Sequence, residues 1–162
     1  MITRPDLDVR AMAAGRLVRL RSTMVADGID LLVLHNPVSL RHAVEYRSYN
    51  TFQAHIPTSY LLVPAEGPVV MHGANATDVP LVDEFLPANA VTVFDSGLDQ
   101  FEVARRFARD VVAGVKGAGL GTGARVGVER LLPSAHAALV EAGIQTVDAE
   151  GTVELARSRK SD

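Results

Sequence analysis

Two long stretches of the chain repeat hydrophobic residues at the spacing of an α-helix. The first helix is predicted over Asp6–Asp27, where apolar side chains recur every three or four residues and Gly28 supplies a stop signal. The second, over Asp99–Val115, has the clearest apolar face and leads into a glycine-rich connector. That face comprises Phe101, Ala104, Phe107, Ala108, Val111, Val112 and Val115. The shorter predicted elements are a helix or turn at Val38–Glu45, a helix at Ala76–Leu86, and a helix from a capping Ser134 to Ala142.

Short runs of consecutive apolar residues separate these helices and are typical of buried strands. The run Asp30–His35 comes directly after the first predicted helix. Two later runs flank residues 64–68, where one glycine between two prolines predicts a hairpin. The other predicted strands are Tyr60–Val63, Val69–Met71, Ala90–Phe94, Arg125–Glu129 and Ile144–Val147. Helices that alternate with short strands, together with one hairpin, predict an α/β fold with a mixed sheet flanked by helices.

Composition narrows the class of protein without indicating its chemistry. The 162 residues, 48% hydrophobic and 22% charged, are typical of one globular domain. A net charge of −3 without any run of Lys or Arg argues against a nucleic-acid partner. The chain has no cysteine, so disulfides and thiolate metal sites are excluded. No apolar run approaches the ~20 residues of a membrane helix, and the N-terminus lacks a signal-peptide pattern, so we expect a cytoplasmic protein without a membrane partner.

The familiar catalytic motifs are absent from the sequence. It contains no His-Glu-x-x-His metal site, no phosphate-binding loop and no nucleophile elbow. His35 and His72 each end a predicted strand and are expected to be hydrogen-bonded structural residues. Residues 119–124 match a dinucleotide fingerprint by letter only, because they follow a helix and precede a strand, the reverse of that motif. The sequence therefore predicts no catalytic residue and no metal ligand in this chain.

One cluster of aromatic and polar residues, in the predicted loop over residues 46–58, indicates a binding role. Four of the chain's eight aromatic residues fall within fifteen positions here, with polar side chains between them. Such a mixture suits an interface or a ligand pocket, whereas the alternative is that the rings only anchor a long loop to its own core. Composition alone does not distinguish the binding interpretation from the anchoring interpretation. The aromatic residues are Tyr46, Tyr49, Phe52 and Tyr60, and the polar ones are Arg47, Asn50, Gln53 and His55.

Five segments share an order and spacing with a known family. They are RLVRLRSTMVADGIDLLVL from Arg16, NPVSLRHA from Asn36, YLLVP from Tyr60, RVGVE from Arg125 and ARSRKS from Ala156. Together they resemble the N-terminal domain of the creatinase / prolidase / aminopeptidase P superfamily, whose catalytic half has the pita-bread fold. The resemblance runs from about residue 16 to the end of the sequence, and no single segment is diagnostic.

This resemblance implies that the full-length protein has two domains, of which only the second is catalytic. Residues 1–155 would form a ribonuclease-H-like, non-catalytic domain, and residues 156–162 would begin a linker to a C-terminal catalytic domain. The pair of divalent metals would lie in that second domain, so no cofactor is expected in this chain. The full-length parent would be a metal-dependent C–N hydrolase of the peptidase or amidinohydrolase type. The N-terminal domain would help form a homodimer and cap the active site of the neighbouring subunit.

By this resemblance, the loop over residues 46–58 would be the family's capping loop. We therefore predict that its side chains contact the substrate or the partner subunit, and that Arg47 pairs with a carboxylate of one of them. The predicted contact residues are Arg47, Tyr49, Phe52, His55 and Ile56.

The substrate and two alternative functions stay open. The His55-Ile-Pro57 sequence looks closer to the creatinase and dimethylsulfoniopropionate-lyase branches than to typical proline peptidases. The resemblance leaves the substrate open among an Xaa-Pro peptide, a creatine-like compound and a sulfonium compound. The alternatives are a stand-alone ligand-binding or dimerisation module, and the same domain of a dimethylsulfoniopropionate-lyase-like enzyme.

Overall fold

The structure is a computed structural model that describes residues 8–47, 58–73, 79–89, 91–92 and 97–158. Within these residues, six strands form one mixed sheet in the order β4-β3-β2-β1-β5-β6. The strands are β1 Leu31–Leu34, β2 Tyr60–Pro64, β3 Val70–His72, β4 Glu84–Leu86, β5 Arg125–Val128 and β6 Gln145–Asp148. The helices are α1 Val9–Ala26, α2 Pro37–Val44, α3 Gln100–Gly117, α4 Pro133–Glu141 and α5 Glu150–Ser158.

On one side of β1 the sheet is antiparallel as far as β3 and parallel between β3 and β4, and on the other side it is parallel. Strand β1 pairs antiparallel with β2, which in turn forms the predicted hairpin with β3. On its other edge β1 pairs parallel with β5, and β5 pairs parallel with β6. Every residue of β1 is fully buried, as its unbroken apolar run predicted. The predicted α/β class with a mixed, helix-flanked sheet is therefore confirmed.

Two hydrophobic cores lie on opposite faces of the sheet. Because side chains alternate along a strand, Leu32 and Leu34 pack with α1, α2 and α5. Leu31 and Val33 point to the other face, where they pack with α3 and α4. At Gly127 an added Cβ would lie 2.7 Å from Leu32 Cδ2, so the close approach of β5 to its neighbours requires glycine there.

A buried carboxylate ties β1 to the start of α2. Glu129, just after β5, accepts hydrogen bonds from the backbone N–H groups of His35 (3.1 Å) and Asn36 (2.7 Å). It also accepts one from the Ser39 hydroxyl at 2.9 Å. The Asn36 side chain caps α2 by accepting from the Val38 N–H at 3.0 Å. These bonds fix the direction in which α2 leaves the sheet.

Two sequence predictions between residues 76 and 94 are wrong where the structure describes them. The helix predicted at Ala76–Leu86 is a strand at its end, β4, which pairs parallel with β3. Leu81 has a φ of 66°, a left-handed conformation that a helix does not contain, and the Asp83 side chain accepts from the Val69 N–H. Of the strand predicted at Ala90–Phe94, only residues 91 and 92 are described, and they are not in a strand.

Smaller differences concern the ends of helices. Phe101 was predicted on the apolar face of α3, but it lies in the first turn and is 68% exposed. Leu132, and not Ser134, occupies the N-cap position of α4, and no side-chain cap is formed there. Helix α5 was not predicted at all. It continues through the first residues of the predicted linker to Ser158, and Ala156 is fully buried.

Candidate interaction site at the end of helix α2

The last turn of α2 leads directly into the loop that the sequence analysis singled out. Glu45 ends this helix in a left-handed conformation, with a φ of 59°, and its N–H donates to the Arg41 carbonyl at 3.0 Å. A glutamate in this region costs about 1–2 kcal/mol, so surrounding contacts must stabilise it.

Three arginines supply those contacts to the Glu45 carboxylate. Arg16 of α1 forms an ion pair with Oε2 and also donates from Nε to the His42 carbonyl at 2.8 Å. Arg47 donates to Oε1 from Nη2 at 2.9 Å and from Nε at 3.2 Å. Arg41 lies one helical turn earlier, with its Nε 3.6 Å from Oε1. Glu45 therefore joins α1, α2 and the start of the loop.

The neighbouring arginines favour the ionised form of the Glu45 carboxyl. Burial favours the neutral acid, but the hydrogen bonds and charges of Arg47 and Arg16 outweigh it and lower the pKa of the Glu45 carboxyl below its usual value. The side chain is only 10% exposed. Glu45 is therefore charged at neutral pH.

His42 lies beside this cluster and is held neutral. Burial, and after it the nearby charges of Arg16, Arg157 and Arg19, lower the pKa of His42 to about 4. Its buried Nε2 has no hydrogen-bond partner within the described part of the chain. A neutral imidazole adds no positive charge to the arginines around it.

These residues line a cavity of about 430 Å³ between α1, α2 and α5. Four arginines face it, and Glu45 supplies the single carboxylate among those lining residues that the structure describes. Arg157, near the end of α5, is partly neutralised by Glu154 at 3.0 Å. The lining residues are Val9, Met12, Arg16, Val38, Arg41, His42, Glu45, Arg47 and Arg157. The cavity therefore carries a surplus of positive charge and several exposed apolar side chains.

Of the five predicted contact residues, the structure describes only Arg47. It is 54% exposed and lies at this cavity, bound to Glu45. The other four, Tyr49, Phe52, His55 and Ile56, lie outside the described residues. Two aromatic residues of the predicted cluster, Tyr46 and Tyr60, are buried in the two cores, which is the anchoring alternative for those two rings.

Sequence reasoning missed most of this site. Arg16, His42 and Arg157 come from three helices that are distant in sequence, so no local motif links them. The one local signal is the Arg41–Glu45 pair at helical i,i+4 spacing. The structural roles predicted for two histidines are confirmed: His35 Nε2 bonds the Arg130 carbonyl at 2.9 Å, and His72 Nδ1 bonds the Pro87 carbonyl at 3.0 Å.

Two other kinds of feature are absent from the described residues. They contain no group of three or more His, Asp or Glu side chains that could hold a metal ion. No described helix is both long and apolar enough to cross a membrane.

The fold that carries this site is similar to the folds of several solved structures. No protein-family model and no curated protein sequence matches the chain. Among solved structures, it is similar to the N-terminal domain of the cytoplasmic peptidase PepQ from Mycobacterium tuberculosis H37Rv. That pair shares 20% identity with a TM-score of 0.59 and covers 88% of this chain and 98% of the other.

Two further solved structures are similar in fold to this chain. The Xaa-Pro dipeptidase from Bacillus anthracis shares 20% identity and a TM-score of 0.62 over 93% of this chain, but over only 37% of its own. The creatinase/prolidase N-terminal domain of an X-Pro dipeptidase from Streptococcus pyogenes shares 14% identity and a TM-score of 0.51. That match covers 86% of this chain and 97% of the other. At these identities the likeness is one of fold, and the chain has the fold of the creatinase/prolidase N-terminal domain.

Proposed function

We propose that this chain is the non-catalytic N-terminal domain of a metal-dependent creatinase / Xaa-Pro peptidase-like hydrolase. In that role it helps form a homodimer, and the loop over residues 46–58 caps the active site of the partner subunit. The likeness in fold to N-terminal domains of Xaa-Pro peptidases supports the first part. The name of one neighbour, a cytoplasmic peptidase, supports the same compartment for this protein.

The observation that carries the proposal is the position of the 430 Å³ cavity. Arg47, where the capping loop begins, lies on its wall. Arg157, one residue before the end of α5, lies on the same wall, and the predicted linker begins within the last turn of that helix. The two segments that would connect this domain to the rest of the enzyme therefore start from one surface. We propose that this surface faces the catalytic domains.

The charge of the surface fits that assignment. Glu45 binds Nε and Nη2 of Arg47, and Nη1 has no partner among the described residues, so it can bind a carboxylate of the substrate or of a neighbouring domain. Because Arg47 is already held by Glu45, less side-chain freedom is lost when it binds. Positioning of an anionic group is the chemical contribution that this site can make.

The metal pair of the proposed enzyme does not fit the described residues. They offer no cluster of three ligand side chains, so the metals would be held by the catalytic domain. No catalytic step is assigned to this chain.

The proposal is tested first on the 162-residue chain. Incubated with an Xaa-Pro dipeptide, creatine or dimethylsulfoniopropionate and with Mn²⁺, it should release no product. Turnover of any of these substrates by the chain alone would contradict a non-catalytic role.

A second test uses the polypeptide that carries both domains. Arg47→Ala should raise KM for the true substrate about tenfold or more while kcat and the melting temperature change little. The matched control is Arg105→Ala, which removes an exposed arginine from α3 on the opposite face. An unchanged KM in Arg47→Ala would contradict the assignment of this surface. Release of dimethyl sulfide by that polypeptide, with no peptide or creatine hydrolysis, would favour the lyase alternative.

A further inference from the structure

A second cavity lies on the other face of the sheet, between α3 and the strands from β1 to β4. Its volume is about 240 Å³. The sheet contributes Leu31, Leu62 and Val70 to its walls, and α3 contributes Ala113, Gly114 and Gly117. These six residues are apolar, and the volume of the cavity falls below the ~300 Å³ at which pockets for drug-sized ligands begin. Any ligand of this cavity is therefore small.

Two glycines of α3 shape the cavity in different ways. A Cβ added at Gly114 would lie 2.5 Å from Leu62 Cδ1, so the helix touches the sheet at that point. A Cβ added at Gly117, one turn later, would meet no atom within 4 Å. The helix and the sheet thus make contact at Gly114 and leave open space at Gly117.

The polar side chains on the walls are all hydrogen-bond acceptors. Asp110 and Glu84 contribute carboxylates. Oδ2 of Asp110 accepts bonds from the Tyr60 hydroxyl and from the Asn89 amide, the latter at 2.7 Å. Its Oδ1 has no hydrogen-bond partner among the residues described. One carboxylate oxygen of Asp110 is therefore available to a ligand.

His72 is the third acceptor, and its orientation is fixed. Its Nδ1 lies 3.0 Å from the Pro87 carbonyl, which can only accept, so in the neutral ring Nδ1 carries the hydrogen and Nε2 is the acceptor. The ring stacks on Tyr60 with centroids 4.7 Å apart and planes 14° apart. The side chain is 4% exposed, and Nε2 has no partner among the described residues.

A cavity of this kind selects a ligand that donates hydrogen bonds and carries positive charge. No Lys or Arg is among the described residues that line it, so an anion would meet two carboxylates without a counter-charge. A bare metal ion does not fit either, because the described residues offer no three-ligand cluster. An ammonium group supplies three N–H donors, and an attached alkyl chain can contact the apolar walls.

We propose that this cavity binds a small organic cation of the primary alkylammonium class. The ammonium group donates to Asp110 Oδ1 and to His72 Nε2, and the alkyl chain packs between α3 and the sheet. This site lies on the opposite face from the arginine-lined cavity, and the proposal does not depend on the proposed function.

The test is titration of the 162-residue chain with n-butylammonium chloride, followed by ¹H–¹⁵N correlation spectra. We expect saturable shifts with a dissociation constant in the millimolar range or below, centred on Asp110 and on the last turn of α3. Equal concentrations of 1-butanol, sodium butyrate and sodium chloride are the matched ligands, and they should give no saturable shift at these residues.

Two variants show whether the cavity is the site. Gly117→Leu fills the open space and improves helix propensity, so it should fold and lose binding. Gly151→Leu is its control, because Gly151 is also an exposed helical glycine with nothing within 4 Å. It should bind as the wild type does. Asp110→Asn keeps an acceptor for Tyr60 but removes the charge, and it should weaken binding about tenfold or more.

Several results would overturn the proposal. They are the absence of saturable shifts with n-butylammonium, equal shifts with 1-butanol, or unchanged binding in Gly117→Leu when its spectrum shows a folded protein. If Asp110→Asn does not fold, the comparison of Gly117→Leu with Gly151→Leu decides the question.

Discussion

Arg47 and Glu45 form a two-point hydrogen-bonded ion pair in which Nη2 and Nε of the guanidinium lie 2.9 and 3.2 Å from one carboxylate oxygen. The pair spans the boundary between α2 and the loop over residues 46–58. Because Glu45 also binds Arg16 of α1, it couples the start of that loop to a helix 29 positions earlier in the chain. The orientation of Arg47 is thus set by the fold of the domain itself.

The first prediction concerns the stability that Glu45 contributes. Glu45→Gln removes the buried carboxylate that Arg16, Arg41 and Arg47 share, so the free energy of unfolding should fall by about 1–3 kcal/mol. Urea denaturation measures the change. Glu102→Gln is the control, since Glu102 pairs with Arg106 and Arg109 on an exposed helix surface, and its midpoint should stay near that of the wild type. An equal effect of the two variants would contradict the role given to Glu45.

The second prediction is the pH dependence of the Glu45 contribution. The pKa of this carboxyl is lower in the folded state than in the unfolded chain, so its stabilisation is complete above the unfolded pKa of about 4.3. It should be lost as the pH falls through the folded pKa. The difference in unfolding free energy between wild type and Glu45→Gln should therefore be constant from pH 6 to 8 and shrink below about pH 4. A difference that does not change with pH would show that charge is not its cause.

The third prediction concerns His42. Its pKa of about 4 in the fold lies below the ~6.5 of an unfolded chain, so the unfolded state binds more protons between these values. Stability should rise with pH across this window, and part of the rise should vanish in His42→Gln. His136→Gln replaces an exposed histidine and leaves His42 in place, so it should keep the wild-type slope. If both variants keep the slope, His42 is not held neutral by the fold.

A fourth prediction tests the close packing of β5. Gly127→Ala places a methyl group 2.7 Å from Leu32 Cδ2 and 2.9 Å from Ala149 Cβ, so it should destabilise the protein by about 1–3 kcal/mol. Gly123→Ala is the matched control, because a Cβ there meets nothing within 4 Å. Thermal unfolding of both variants measures the difference, and a Gly127→Ala protein as stable as the control would contradict the packing described for β5.

Sequence periodicity predicted the elements whose burial is complete or strongly one-sided. β1 was predicted because an all-apolar run is what burial on both faces requires, and α3 because its buried residues repeat at helical spacing. β4 was not predicted, because its three exposed residues carry no alternation and the strand forms through backbone pairing with β3. α5 was not predicted, because the largely polar segment from Leu155 onward was interpreted as the start of a linker.

Only one residue of the candidate site was predicted from the sequence, because the others come together through tertiary packing. Arg47 was identified because it stands among aromatic residues within one segment. Glu45, Arg16, His42 and Arg157 meet only after α1, α2 and α5 pack together, so their relationship depends on tertiary structure and has no signature in a local window.

The central claim is that this chain acts as one domain of a larger metal-dependent hydrolase. The most direct test is the mass of the polypeptide that contains this sequence in its source cell, measured by intact-protein mass spectrometry after antibody capture. The account predicts one polypeptide that exceeds 17.3 kDa by the mass of a whole catalytic domain. A captured polypeptide of 17.3 kDa would contradict it and favour a stand-alone binding or dimerisation module.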